Sequence, residues 1–223
     1  SNIAALNSVS IPASVQKIGN NAFQNDKNLQ ELSFAENGKL TEIGNNAFQT
    51  TGIKSVVLPD TVMSLGTTVF ASCTSLTSVE LSENLTEISD SLFKDCKLLS
   101  SVSIPKKVMT IGIYAFSGCS ALESIVIPEG VTSIGNYAFQ NCSNFKEVVI
   151  PKGMTAIGNY AFSGCSSLES ISFANDFELT QIGSRAFASC TSLLEIVLPE
   201  GVAEVSEGLF YGAGSLQSVS IPN

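Results

Sequence analysis

Six cysteines pose the first chemical question. Cys73, Cys96, Cys119, Cys142 and Cys165 follow one another at intervals of 23 residues, and Cys190 comes 25 residues later. Thiols at such positions could be disulfide partners, metal ligands or nucleophiles. So even a spacing is unlike the disulfide frameworks of small secreted domains. A thiol nucleophile needs a depressed pKa and a neighbouring base. The chain has no His, the commonest general base and the commonest metal ligand. The same absence leaves its many serines without a Ser-His-Asp arrangement. The spacing instead predicts a ladder of free thiols packing as small apolar groups, since Cys behaves as a small hydrophobe. Rungs about 5 Å apart are within disulfide reach, but their Cβ vectors run parallel instead of converging.

The remaining chemistry is sparse. Asp176 and Glu178 offer a few carboxylate oxygens, and a cation needs more of them in a fixed frame. Gly recurs once per interval in an Ile-Gly pair, as in Ile111-Gly112 and Ile134-Gly135, which reads as a turn residue and not as a phosphate loop. Basic residues are scattered, with Lys106-Lys107 the one adjacent pair, and the net charge is −9. Such a surface repels nucleic acid and anionic lipid. The chain therefore reads as a protein that is not an enzyme, with no catalytic residue, no cofactor, no metal and no nucleic-acid partner.

The elements that carry these residues repeat. Phe23, Phe48, Phe70, Phe93, Phe116, Phe139, Phe162, Phe187 and Phe210 mark nine equivalent positions. The Cys position lies three residues after Phe, and Asp26, Thr51 and Ala213 occupy it in the outer repeats. An apolar residue follows, as at Leu122, and then a strand with period-2 alternation, as in Ile125-Val126-Ile127. Pro ends seven of these strands, because it has no N–H for a ladder. A turn, an apolar residue and the Ile-Gly pair return the chain to Phe. Each unit supplies inward positions that it cannot bury alone: Ala115, Phe116, Cys119, Leu122, Ile125, Ile127, Val131 and Ile134 in one of them. Stacking solves that problem and aligns identical positions into ladders. Val131 to Ile134 is expected to form a second short strand on the far side, and Asn136 to Cys142 one helical or 3₁₀ turn.

Motifs of the form C-x-x-L-x-x-V-x-I-P-x-x-V-T-x-I-G-x-x-A-F run through essentially the whole chain. They resemble the BspA-like, or Treponema pallidum type, class of leucine-rich repeat. The resemblance implies a right-handed leucine-rich-repeat solenoid with a concave parallel β-sheet, and short 3₁₀ or helical turns or short strands on the opposite side. It also implies an extracellular or cell-surface location and a protein partner, either a host extracellular protein or another microbial surface protein. It brings no catalytic residues.

With the inward positions committed to the core, the outward rows of the sheet and the edge loops remain for binding. On the sheet the candidates are Val57, Glu80, Ser103, Ser124, Val126, Glu147, Val149, Ser172 and Val197. Val126 and Val149 fall on adjacent rungs and form a small exposed apolar spot, a feature that marks protein-binding sites. Two units are two residues longer than the rest, and both replace the Ile-Pro strand ending with Phe-Ala. Their loops are Phe34 to Leu40 and Phe173 to Leu179; the second adds Asp176, Phe177 and Glu178 to the candidates. Edge loops of solenoids often carry recognition.

The expected organisation is a single solenoid domain over residues 1–223, with about nine to ten repeats of roughly 23 residues. It reads as a segment of a longer protein, because neither end carries the polar capping unit that a solenoid requires. No apolar run approaches the roughly 18 residues that span a bilayer. The functional expectation is a noncatalytic interaction or adhesion module, and the alternative is a spacer that displays another domain.

Overall fold

The structure is a computed structural model describing residues 6–174 and 178–221. Within those residues the chain forms strands and turns, with no helix. Every strand pairing is parallel and joins equivalent positions of successive repeats, as in Val56 with Val79 and Ile111 with Ile134. The repeats are therefore the coils of a β-solenoid, as the stacking argument requires.

Two strand rows run along it. The longer strands begin with Ser8–Ile11 and end with Ser218–Ser220. The shorter ones have two residues each, from Lys17–Ile18 to Gln181–Ile182. Ser133–Ile134 belongs to this second row, where a second strand was expected.

Between the rows lies one core. All eight inward positions of the unit from Ala115 to Ile134 are at most 7% exposed. Phe139 stacks on Phe116 and on Phe162 with ring centroids 5.2 Å apart in both cases. Stacked pairs of this kind contribute about 0.5–1.5 kcal/mol beyond their burial. At the first two coils Asp26 and Thr51 occupy the Cys position and are buried there.

The segment from Asn136 to Cys142 is not the expected helical or 3₁₀ turn. Its residues form successive non-helical turns. The cause is a left-handed residue on either side of Phe139: Tyr137 has φ 60° and Asn141 has φ 58°. A left-handed residue every four positions cannot be continued as a right-handed helix. The amides are shared out instead. Phe139 N–H donates to Ala161 O of the next coil at 2.7 Å, while Cys142 N–H donates to Phe139 O of its own coil at 3.2 Å. Local turns and inter-coil bonds together satisfy a backbone that would otherwise be buried unpaired.

The glycine of the Ile-Gly pair opens a turn as expected, with Ala138 N–H donating to Gly135 O at 3.3 Å, and coil packing adds a second reason for it. Gly135 lies against the previous coil, so that a Cβ there would sit 2.7 Å from Gly112 C and Ile113 N. The close approach lets Gly135 N–H donate to Ile111 O at 2.7 Å. Serine replaces this glycine at Ser89 and Ser206. The Ser89 hydroxyl donates to Gly66 O at 2.8 Å, and the Ser206 hydroxyl to Ile182 O. Both serines stand where the short row stops: Ser64–Leu65 does not pair with Glu87–Ile88, and Gln181–Ile182 is the last strand of its ladder. A single β-carbon between coils thus opens the row locally.

Candidate binding surface

The period-2 pattern of the longer strands decides which side chains reach solvent. In Glu147–Ile150, Val148 and Ile150 are buried while Glu147 and Val149 are exposed. The same alternation exposes all the described sheet candidates, Val57, Glu80, Ser103, Ser124, Val126, Glu147, Val149, Ser172 and Val197. Val126 is 84% exposed and Val149 59%. The bridge between Ser124 and Glu147 carries the register across these two coils, so Val126 follows on beside Val149. Glu178 is exposed, and Asp176 and Phe177 lie outside the described residues.

The longer strands do not form one unbroken ladder. Glu31–Phe34 does not pair with Ser55–Val57, Ser101–Val102 does not pair onward, and Ser170–Phe173 does not pair with Glu195–Val197. The first and last interruptions follow the two long units. A groove opens at each. One, of 560 Å³, is lined by Ser33, Phe34, Val57 and Pro59. The other, of 760 Å³, runs between the rims Ser170, Ser172 and Glu195, Val197 over a floor that includes Ile171, Ile196 and Leu198. At both places the backbone ladder is interrupted; at the second the inward Ile171, Ile196 and Leu198 stay at most 7% exposed, and the outward Leu194 and Val197 stand exposed beside them. The period break at Phe34 and Phe173 was legible in the sequence; the grooves were not.

Electrostatics on this face are acidic. Glu123, Glu147, Glu169 and Glu195 are exposed on four successive coils. Lys146 binds Glu123 at 2.8 Å. That ammonium holds the Glu123 carboxyl below its ordinary range, and Glu123 in turn raises Lys146.

The thiols take no part in a surface site. Each is buried and free. Each donates to the carbonyl of the Phe one coil back, as Cys142 Sγ does to Phe116 O at 3.2 Å. Burial pushes the thiols up, in Cys190 to about 12, so they stay neutral S–H donors at ordinary pH. Among the described residues no group of three or more His, Cys, Asp or Glu is arranged to hold a metal ion. No helix among them is long and apolar enough to cross a membrane.

One surface feature escaped the sequence reading. Tyr114, Tyr137 and Tyr160 stack at 4.6 and 5.0 Å on three successive coils. Lys94 lies 4.8 Å over the Tyr114 ring, and Arg185 lies 5.8 Å over the Tyr160 ring. All three tyrosines occupy left-handed backbone, where other coils use Asn, Thr, Ser, Arg or Gly. The recurrence of Tyr two residues before Phe was the available signal. The ring faces are turned toward one another and toward the two cations, so the stack offers edges and not open platforms.

Parallel coils, a stacked Phe core and a twenty-three-residue period define a β-solenoid of the leucine-rich-repeat class. The family model of the BspA type leucine rich repeat region matches in 6 copies over residues 1–123 and 109–223, and the chain belongs to that family. Solved structures agree. A leucine-rich repeat protein of T. pallidum is 26% identical with a TM-score of 0.65, over 84% of this chain and 83% of that one. The pneumococcal vaccine antigen PcpA is 25% identical with a TM-score of 0.62, over 97% of this chain and 62% of that one. A leucine-rich repeat protein from Bacteroides ovatus is 25% identical with a TM-score of 0.58, over 96% of this chain and 72% of that one. No curated protein matches the chain.

Proposed function

We propose that this chain is a noncatalytic protein-binding module of a microbial surface or secreted protein, and that it binds through the outward face of the longer strands. One observation carries the reading. The inward rows are consumed by the core, while the outward row leaves Val57, Val126, Val149 and Val197 between 59% and 84% exposed on one face. Valines held on a rigid sheet meet a partner with little loss of side-chain freedom, and exposed apolar spots of this kind mark interaction sites. The similarity to a pneumococcal vaccine antigen supports a place outside the cell.

The test is an array of extracellular matrix proteins, plasma proteins and microbial surface proteins probed with the parent chain and with Val126→Asp/Val149→Asp. The reading expects at least one saturable interaction that the double variant weakens by about tenfold or more, since hot-spot losses exceed roughly 1.4 kcal/mol. Capture that the double variant leaves unchanged refutes the sheet as the binding face. Uniformly negative arrays favour the spacer reading.

A further inference from the structure

We infer that the occupant of the groove between Ser170–Phe173 and Glu195–Val197 is a basic segment of a partner protein that carries an apolar side chain. The inference rests on the protein-binding reading above and names the chemistry of the partner. The floor of the groove is apolar, with Ile171, Ile196 and Leu198, and Leu194 and Val197 stand exposed at its rim. Its volume of 760 Å³ suits a large side chain with its flanking backbone. An apolar anchor in such a cleft is the usual centre of an interface.

Charge decides between occupants. Glu169 and Glu195 line the same groove, and Glu147 is exposed one coil further on. Lys146 on the same face is paired with Glu123 at 2.8 Å and is also attracted by Glu169. A second copy of this chain would bring the same carboxylates against these, on a protein whose net charge is already −9. Like charges brought together in an interface reject the wrong partner, while opposite charges steer the right one in. Lys and Arg side chains on either side of an apolar anchor meet both demands.

The probe is an end-blocked heptapeptide of alternating Lys and Leu, with alternating Glu and Leu and alternating Lys and Ser as controls, titrated by fluorescence anisotropy. The expected result is saturable binding of the Lys-Leu peptide that weakens as salt rises, little binding of the Glu-Leu peptide, and weaker binding of the Lys-Ser peptide. Glu147→Gln/Glu169→Gln/Glu195→Gln lowers affinity by about tenfold or more. Leu194→Ser/Val197→Ser does the same. Glu87→Gln/Glu204→Gln/Glu207→Gln, with the same charge change away from the groove, leaves binding unchanged. Equal losses in both glutamate triples reduce the effect to net charge and overturn the inference. So does binding of the acidic peptide, or no saturable binding at all. If Val126→Ser/Val149→Ser weakens binding while the Glu147, Glu169 and Glu195 triple does not, the sheet face stands and the charge assignment falls. Concentration-dependent dimers lost on Val197→Ser would make the occupant a second copy, and would overturn it too.

Discussion

Replacing Gly135 by Ala tests the reason given for the inter-coil glycines. The added Cβ would lie 2.7 Å from Gly112 C and Ile113 N, both main-chain atoms that no rotamer change can move. The two coils must part. Overpacking of this kind costs about 1–3 kcal/mol. Lengthening the 2.7 Å bond from Gly135 N–H to Ile111 O forfeits roughly 1 kcal/mol more. The expected loss is thus about 2–4 kcal/mol in urea unfolding. Gly135→Ser should be milder by about 1 kcal/mol, because its hydroxyl can donate to the previous coil as Ser89 does to Gly66 O. Coils couple only to their neighbours, so hydrogen exchange gives the local readout: faster exchange at residue 135 and its neighbours, with distant coils unchanged. The reciprocal Ser89→Gly should slow exchange at residue 89. An unfolding midpoint for Gly135→Ala equivalent to within about 0.5 kcal/mol of the parent, a change typical of neutral surface substitutions, would refute the close-approach argument.

Other outcomes follow from the core and the ladders. Phe139→Ala should cost about 3–5 kcal/mol in the same assay, and Phe23→Ala less, because Phe23 is only half-buried. The raised thiols make stability fall with alkalinity. Cys190 holds its proton to about 12 in the fold and releases it near 9.0 when unfolded. Its stabilising effect is therefore complete below pH 9 and lost as pH rises toward 12. Between those limits each such thiol contributes about 1.4 kcal/mol per pH unit. Unfolding midpoints measured from pH 8 upward should show a shallower decline in Cys190→Ala. Tyr137→Asn removes two ring contacts of about 0.5–1.5 kcal/mol each and relieves a left-handed strain of roughly 1–2 kcal/mol. Its net effect should be small, whereas Tyr137→Ala, which keeps the strain, should be clearly destabilising.

The repeat, the parallel stack and the identity of the core could be read from spacing. Phe116, Cys119 and Ile134 recur at one period, and no single unit can bury them. Their burial in the structure follows from that need alone. The outward row was legible for the same reason, since alternate residues of a strand face opposite ways and Val149 stands between Val148 and Ile150. The residues from Asn136 to Cys142 are read differently in the structure because the left-handed backbone shows only when the coils are aligned at the position before Cys. Tyr137 does not declare its φ, whereas Asn141 does in part, since Asn tolerates left-handed backbone and Gly118, Gly164 and Gly212 fill the equivalent position. The Tyr stack was hidden for a related reason, because a half-exposed position carries no hydrophobic period.

The sequence by itself thus determined that this chain is a solenoid, which residues make its wall, and that its acidic surface lacks His. Tertiary structure decided what the coil-to-coil distance does with those facts. Gly135 is required by an approach of main chain to main chain that is invisible along the chain. After the long loop that ends at Leu179 the backbone ladder stops between Ser170–Phe173 and Glu195–Val197, beside a groove whose lining includes Ile171 and Ile196. Two inserted residues are a local fact. The cleft beside them depends on how neighbouring coils share backbone hydrogen bonds, and only the folded stack settles that.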